Sequence, residues 1–372
     1  MPIVIRASAS PGEIRAAALD EHGLLDIAVE RPGAPPAERD GVGDLHRGRI
    51  LAHLPALAGS FVALEGGQEG FLPDSAGGQK PAGTILPVRV VRAAQGGKGP
   101  RLSAKLDESV PAGPLGLVHP GPGAVARLAA LHPAASIELD DLTLFAVLRP
   151  LLGDRLVRVP RSTNESLDAE IESLSESHIA LPAGATMTIH PTPALVAIDL
   201  DLAAASATRD TKARGHEATN RAALPALARQ IRLRNLAGGI VVDFAGLSPK
   251  RRAVLGPALA EALAPDPLAP RFLGFTALGF AEILRPRKHR PLHELLAGPH
   301  AAGLAALRHA AHQAAAAPHQ RLALRAAPTV VDALRADPVA LPAFTHAAGH
   351  PISLVPDPSL ALRAWTLETP HG

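Results

Sequence analysis

Three aspartates near the middle of the chain have the spacing of a metal site. Asp199 and Asp201 end the apolar segment AIDLD, and side chains two apart on an extended chain point to the same face. Asp243 ends a second apolar run, IVVDF. Two neighbouring carboxylates repel each other unless a proton or cation lies between them, and Mg²⁺ needs only one or two protein carboxylates beside water and substrate phosphate. The alternative is that each aspartate caps a loop.

A strand–helix–strand unit is predicted to bring Asp199 and Asp243 together. The strands are LVAIDLD and IVVDFAG, and the helix between them is expected from about Glu217 to Asn235, ended by the glycines 238–239. Its apolar stripe is Leu224, Leu227 and Ile231. A second helix, a strand RFLGFT and a helix-like LGFAEILRPR follow. This alternation indicates an α/β sandwich.

Three basic clusters lie around this carboxylate-bearing region. They are RQIRLR (229–234), SPKRR (248–252) and RPRKHR (285–290). A single cluster of this kind is usually a solvated surface, but phosphate backbones are what several clusters together bind. Arg229 and Arg232 lie off the apolar stripe of the predicted helix and close to each other.

Residues 41–105 are predicted to form a small antiparallel barrel of the OB type, because short strands alternate there with glycine turns. Phe61 and Phe71 fall in adjacent strands, and a hairpin through the glycines 66–67 would bring their rings close. Exposed rings on such a barrel stack single-stranded bases; the alternative is that both rings lie in the core. Lys98, in a glycine-rich turn, is placed to meet a phosphate, although a lone loop lysine is normally just solvated.

Composition narrows the class of protein. The 372 residues are 47% hydrophobic, which indicates a globular chain, and the net charge of +2 says little about partners. Cysteine is absent, which excludes disulfides, thiolate metal sites and cysteine nucleophiles. There is no signal peptide pattern and no run of about 18 apolar residues, so we expect a cytoplasmic protein without a membrane span.

One long segment resembles a known family. ATNRAALPALARQIRLRNLAGGIVVDF is similar to the signature of the ribonuclease E/G family, without a gap from Asn220 to Phe244. LVAIDLDL takes the place of the family's Ala-Ile-Asp-X-Asn strand. LGFAEILRPRKHRPL resembles another family segment and retains Gly279, Glu282, Arg285 and Arg287. Upstream, GDLHRGRILAHLPALAGSFVALEGGQEGFLP and GKGPRLSAKL resemble the start and end of the family's RNA-binding barrel.

The resemblance implies an endoribonuclease that cleaves single-stranded RNA and leaves 5′-phosphate products. By similarity, Asp199 and Asp243 hold a Mg²⁺ that activates a water, and Asp201 belongs to the catalytic set. The RNA contacts that it implies are Phe61, Phe71, Lys98, Arg229, Arg232, Arg285 and Arg287.

The same resemblance predicts an α/β fold with a discontinuous chain order. A ribonuclease-H-like layer takes residues 1–40 and 106–190, and the OB-type barrel of residues 41–105 is inserted in it. A DNase-I-like catalytic subdomain follows at 191–296, and a small α+β domain at 297–372. The closing segment is expected to form helix, helix, strand and strand, and residues 299–327 are either helical or loosely ordered.

Three departures from the family pattern change these expectations. Asp201 stands where the family has Asn, and residues 202–205 replace its Ser-X-Arg. Without cysteine no zinc is expected, so oligomerisation would not use a zinc link. The stretch before Asp199 is too short for a full 5′-sensor region, which predicts a sensor-less member of the family.

Two other functions remain open. A catalytically degenerate RNA-binding relative would keep the barrel, and the replacement of the family's Asn by Asp201 supports it. An α/β phosphoesterase for a small phosphate compound would leave the barrel aromatics unexplained.

Overall fold

The computed structural model describes residues 2–107, 109–163, 165–181, 185–201, 209–244 and 246–369. The chain divides into two compact units, one of Met1–Asn164 with Glu294–Gly372 and one of Glu165–His293. Within the described ranges no helix is both long and apolar enough to cross a membrane.

Strands make up the regular structure of the first third of the chain, apart from short 3-10 turns, and helices and strands are interspersed after it. The strands are β1 (Val4–Ser10), β2 (Glu13–Asp20), β3 (Gly23–Glu30), β4 (Leu45–Leu54), β5 (Gly59–Ala63), β6 (Glu69–Pro73), β7 (Ile85–Arg92), β8 (Arg101–Ser103), β9 (Gly116–His119), β10 (Ser136–Leu139), β11 (Leu156–Arg158), β12 (His178–Ala180), β13 (Thr186–Pro191), β14 (Val196–Asp201), β15 (Gly238–Phe244), β16 (Arg271–Phe275), β17 (Ala281–Arg285), β18 (Ala323–Ala326), β19 (Ser353–Pro356) and β20 (Trp365–Glu368). The helices are α1 (Ala124–Leu131), α2 (Leu142–Leu152), α3 (Glu165–Ser173), α4 (Arg209–Leu233), α5 (Pro249–Leu263), α6 (Leu292–Leu295), α7 (Gly298–Ala316), α8 (Pro328–Ala336) and α9 (Ala340–Ala348).

The first sheet of the larger unit is interrupted in sequence by the barrel. Its order is β11-β10-β1-β2-β3, so β10, from after the barrel, pairs with β1, and β11 pairs with β10. Ile5 and Ala16 in the hairpins pack with Ile137 and Leu139 of β10 and with Leu128 of α1. Buried side chains alternate along β1 and most of β3, whereas the successive residues 15–18 of β2 are all buried.

The barrel is a closed ring of five strands. β4, β5, β6, β8 and β7 follow one another, and an additional pairing of β5 with β4 closes the ring, to which β9 adds along β4. Its core residues are Ile50, Val62, Leu64, Leu72, Val88, Val90 and Leu102. A mixed α/β chain that carries a five-stranded closed barrel is thus confirmed, and the barrel fits the OB type.

The C-terminal residues form a three-stranded sheet, β19-β18-β20, covered by α7, α8 and α9. Residues 299–327, which were expected to be either helical or loosely ordered, are mostly helical and belong to α7. The predicted succession of two helices and two strands is present as α8, α9, β19 and β20.

The smaller unit is built on a six-stranded sheet of order β12-β13-β14-β15-β17-β16. β13 pairs antiparallel with β14, so the sheet begins before residue 191, where the catalytic subdomain was expected to start. One face of the sheet is covered by α4 and α5, through the predicted stripe Leu224, Leu227 and Ile231 and through Leu255, Leu259 and Leu263.

Two local expectations in this unit are wrong. LGFAEILRPR is not helical: β17 pairs with both β15 and β16, and Ala281 and Ile283 are buried while Glu282 and Leu284 are exposed, which is strand periodicity. The helix α4 ends at Leu233, and the left-handed Asn235 (φ 49°) makes the turn, with Leu236 N donating to Ile231 O, before the glycines are reached.

Candidate active site

The carboxyl ends of β14 and β15 place Asp199 beside Asp243. The two strands are parallel, and their register pairs Ile198 with Val242 and Asp199 with Asp243. Neighbouring strands lie about 4.8 Å apart, and directly opposed side chains share one face of the sheet. The predicted pairing of the two strands is present, with these two aspartates opposite each other.

Alternation along both strands turns the aspartates away from the apolar core. Ile198 and Leu200 are buried against α4 and α5, whereas Asp199 and Asp201 are exposed. Asp243 is 43% exposed, between the buried Val242 and Phe244. Asp201 therefore lies on the same open face, one step further along β14. Residues 202–205, where the family's Ser-X-Arg is replaced, lie outside the described residues.

The donor set at this edge suits a hard cation. Carboxylate oxygens are the ligands that Mg²⁺ prefers, and it keeps several waters when few protein ligands are present. Among the residues that the structure describes, no group of three or more His, Asp or Glu side chains is arranged to hold a metal ion. Asp199 and Asp243 therefore offer carboxylate oxygens of the kind that a Mg²⁺ ion with several bound waters would need.

Arg252 is the cation beside this pair. It lies in the first turn of α5, directly after β15, and its Nη2 is 3.5 Å from Asp243 Oδ1. Sequence reasoning named the SPKRR cluster as basic but did not assign this arginine to the site. The position of Arg252 at the start of the helix that follows the Asp243 strand is the signal that could have identified it.

The predicted arginines lie at the opposite edge of the sheet. Gly238, at the amino end of β15, pairs with Arg285, and Gly238 is about 16 Å from Asp243 at about 3.3 Å per residue. Arg287 is exposed and lies against Gly238, where a Cβ would overlap with its guanidinium. Arg229 and Arg232 are in the last turns of α4, which lead to this same edge, and Arg232 Nη1 donates to Pro265 O (2.9 Å).

The RNA-binding role predicted for Arg285 does not fit its surroundings. Its side chain is only 3% exposed, and Nε donates to Asp266 Oδ2 at 2.7 Å. Nη1 donates to Asn235 Oδ1 (2.7 Å) and to Leu236 O. Because its donors are used inside the protein, we assign Arg285 to the structure of the sheet and the α4–β15 turn.

On the barrel, the two phenylalanines lie outside the core. Phe61 pairs with Phe71 across β5 and β6, joined through the left-handed glycines 66 and 67, and the ring centroids are 5.8 Å apart in an edge-on arrangement. Both rings are half-buried, so the alternative of two core residues is wrong. Arg101 of β8, which sequence reasoning missed, places its guanidinium carbon 5.9 Å from the Phe71 ring centroid. Lys98 is exposed in the turn before β8.

Comparison with known proteins points to one family. Residues 156–288 match the model of the Ribonuclease E/G family, and this segment contains both strands of the aspartate pair. The chain is 36% identical to Ribonuclease E of Nostoc sp. (strain PCC 7120 / SAG 25.82 / UTEX 2576) over 131 residues, which are 35% of this chain and 19% of that protein. It is 34% identical to Ribonuclease E of Escherichia coli (strain K12) over 164 residues, 42% of this chain and 15% of that protein.

Ribonuclease G of Escherichia coli (strain K12) is 33% identical over 132 residues, 35% of this chain and 27% of that protein. The matched part of the chain thus spans about a quarter or less of each of these relatives. Asp199, Asp243 and Arg252 all lie inside the segment that matches the family model. Residues 156–288 of the chain are thus similar to the ribonuclease E/G family.

Proposed function

We propose that this protein is a Mg²⁺-dependent endoribonuclease that cleaves single-stranded RNA, in RNA processing or decay, and leaves 5′-phosphate products. The observation that carries the proposal is the register of β14 and β15, which sets Asp199 opposite Asp243 on an open sheet face within the family segment. The similarity of residues 156–288 to the ribonuclease E/G family supports the substrate class.

Asp199 and Asp243 would hold the Mg²⁺, and Asp201 would add negative charge to the same face. The bound ion would supply a Lewis acid that activates water for attack on the scissile phosphate. The two strands contribute rigidity, since both carboxylates project from a sheet whose other face is buried. The protein thereby fixes the separation of the ligands before substrate arrives.

The barrel would bind the RNA through its bases. Phe61 and Phe71 present half-buried rings for stacking, and Lys98 would meet a phosphate. Arg287 lies against Gly238, about 16 Å along β15 from Asp243, and Arg229 and Arg232 lie in the last turns of α4. These three arginines would contact RNA nucleotides away from the scissile bond.

The finer architecture is part of this proposal. We assign the five-stranded sheet to a ribonuclease-H-like layer, the six-stranded sheet to a DNase-I-like subdomain and residues 297–372 to the family's small α+β domain. We also propose a cytoplasmic protein. An oligomer, where one forms, would not depend on a zinc link, because the chain has no cysteine.

A catalytically degenerate RNA-binding protein is the second candidate. One observation favours it: Asp201, a carboxylate, lies on the open face where the family's Asn is expected, close to where substrate phosphate would lie.

The decisive experiment measures cleavage of an AU-rich single-stranded RNA by the full chain, with Mg²⁺ and with a chelator. Asp243→Asn is expected to abolish cleavage and leave RNA binding largely intact. Glu261→Gln is the matched control, since Glu261 is an exposed carboxylate of the same unit that lies on α5 and not on the open sheet face. Unchanged cleavage by Asp243→Asn would refute the metal site, and no metal-dependent cleavage by the natural chain would favour the degenerate relative.

A further inference from the structure

Arg252 connects the aspartate edge to the tip of a hairpin. On one side its Nη2 forms the ion pair with Asp243 Oδ1 at 3.5 Å. On the other side its Nη1 donates to the backbone oxygen of Gly279 at 2.8 Å and lies 3.4 Å from that of Leu278. Both carbonyls belong to the loop between β16 and β17. One guanidinium therefore joins β15, α5 and this hairpin.

The hairpin tip is shaped to receive that guanidinium. Gly279 has a left-handed φ of +92°, and a Cβ at this position would overlap with Arg252 Nη1. Thr276 N donates to Phe280 O, Gly279 N to Thr276 O, and Phe280 N to Thr276 Oγ1. The loop is thus held by its own hydrogen bonds, with its carbonyls left to accept from Arg252.

Arg252 is also well placed to resist displacement. Its side chain is only 16% exposed, whereas Asp243 is 43% exposed. An ion pair with a fixed and largely buried partner restricts the carboxylate more than a pair between two mobile surface chains does. The neighbouring Arg251 has a different partner, Glu217, at 3.5 Å.

We propose that Arg252 is a positioning residue, which orients the Asp243 carboxylate and couples it to the 276–280 hairpin. The proposal rests on the proposed function for its catalytic consequence, and on the contacts alone for the coupling. A guanidinium held by two carbonyls fixes one oxygen of Asp243, so that the metal ligand keeps its orientation while RNA enters and leaves. Small misplacements of a reacting group cost large factors in rate.

The first measurement is hydrogen exchange of the full chain across residues 276–280. Arg252→Gln removes the donor to the carbonyls, and Gly279→Ala displaces the guanidinium from the other side. Both variants are expected to raise the amide exchange rate of these residues by at least about ten-fold, because the loop loses about one hydrogen bond to a charged group. Asp243→Asn is expected to raise it as well, which a purely local role of Arg252 in the hairpin would not produce.

The second measurement is steady-state cleavage at saturating Mg²⁺. Arg252→Gln and Gly279→Ala are expected to lower kcat by about ten- to a hundred-fold and to leave KM for RNA within two-fold. Arg271→Gln is the charge-matched control, since Arg271 is exposed on β16 of the same hairpin and belongs to none of the three basic clusters. Gly274→Ala is the strain-matched control, because Gly274 has φ +128° in the same hairpin and a Cβ there meets nothing within 4 Å.

The coupling would be overturned if the exchange rate in Arg252→Gln stayed within two-fold of that in the natural chain. It would also be overturned if the two control variants had effects equal to those of Arg252→Gln and Gly279→Ala. Raised exchange with an unchanged kcat would overturn the positioning role. A natural chain that does not cleave RNA would refute the proposed function instead, and the exchange comparison would still decide whether Arg252 couples Asp243 to the hairpin.

Discussion

Asp199 lies directly opposite Asp243 in the register of two parallel strands, although the two residues are separated in sequence by a long helix. The parallel arrangement brings both carboxyl ends to one edge of the sheet, and alternation keeps both carboxylates off the buried face. Each aspartate alone would serve equally well as a loop cap. Their pairing is what supports a cation site, since two adjacent carboxylates need a positive charge between them.

Asp201 is expected to weaken RNA binding. Asp201→Asn removes one negative charge from the open face and should lower the RNA dissociation constant by about two- to five-fold at low salt, less at higher salt because of screening. Filter binding in a chelator measures this without cleavage. Asp332→Asn, a substitution of an aspartate that is 74% exposed in the other unit, has the same charge change and should have no effect. Weaker binding of Asp201→Asn would mean that Asp201 helps to hold the RNA.

The barrel aromatics are expected to contribute to RNA affinity. Phe61→Leu and Phe71→Leu should each cost about 1–3 kcal/mol of binding free energy, because base stacking on an aromatic ring is lost. Fluorescence anisotropy with a labelled single-stranded RNA measures the change. Leu57→Ala is the control, an apolar residue that is 57% exposed on the same barrel. Loss of stability with unchanged affinity would instead make the rings supports of the barrel.

Arg285 and Arg287 should behave differently. Arg285→Gln leaves Asp266 buried without its cation and is expected to destabilise the smaller unit by about 3–5 kcal/mol. Arg287→Gln, at an exposed position, should change stability by less than about 0.5 kcal/mol and should weaken RNA binding modestly. Two measurements distinguish the roles of these arginines: urea unfolding, monitored by circular dichroism, reports stability, and a binding assay reports RNA affinity. A stable Arg285→Gln variant that binds RNA poorly would restore the original RNA-binding prediction.

Glu13 is expected to stabilise the larger unit through three arginines. It is 1% exposed, and Arg15, Arg31 and Arg308 contact its two oxygens at 2.5–2.8 Å. Glu13→Gln leaves these guanidinium groups with an uncharged partner and should cost about 3–5 kcal/mol of unfolding free energy. Trp365, the single tryptophan of the chain, lies in the same unit, so its fluorescence follows this unfolding. Glu21→Gln, at a side chain that is 59% exposed, is the control.

The same site gives a pH dependence. Burial by itself would raise the pKa of Glu13, but the three guanidinium groups outweigh it and hold that pKa well below its ordinary value of 4.5. A carboxyl with a lowered pKa stabilises the fold above its unfolded value, and that stabilisation is lost as the pH falls toward the folded value. The stability difference between the natural chain and Glu13→Gln should therefore be constant above pH 4.5 and shrink below it. A difference that persists unchanged at pH 3 would show that charge is not its source.

Cleavage is expected to be insensitive to the 5′ end of the RNA. The segment between the barrel and Asp199 is short, and it carries no Arg-Thr pair of the kind that a 5′-sensor would need. Rates on 5′-monophosphate and 5′-hydroxyl forms of one RNA should agree within about two-fold, which corresponds to less than 0.5 kcal/mol. A large preference for the monophosphate would reveal a sensor formed by other residues.

The sequence by itself determined the elements that carry the site, because their patterns are local. Spacing along one segment was enough to identify the apolar runs that end in Asp199 and Asp243, which form β14 and β15. The same holds for the stripe of Leu224, Leu227 and Ile231, which lies on α4. The signals for the barrel strands and for the Phe61–Phe71 hairpin were also local, since glycine turns and pairing between neighbouring strands define them. LGFAEILRPR was misinterpreted because a short apolar segment does not distinguish helix from strand until its partners are known.

Only the tertiary structure decided which charges meet. Arginines close to the aspartates in sequence, such as Arg229 and Arg285, lie at the far edge of the sheet, because α4 and β17 run antiparallel to the strands that end in aspartate. Arg252 reaches Asp243 because α5 starts where β15 ends, and Arg285 is buried because Asp266 and Asn235 happen to converge on it. Such contacts depend on strand direction and long-range packing, which no local spacing contains.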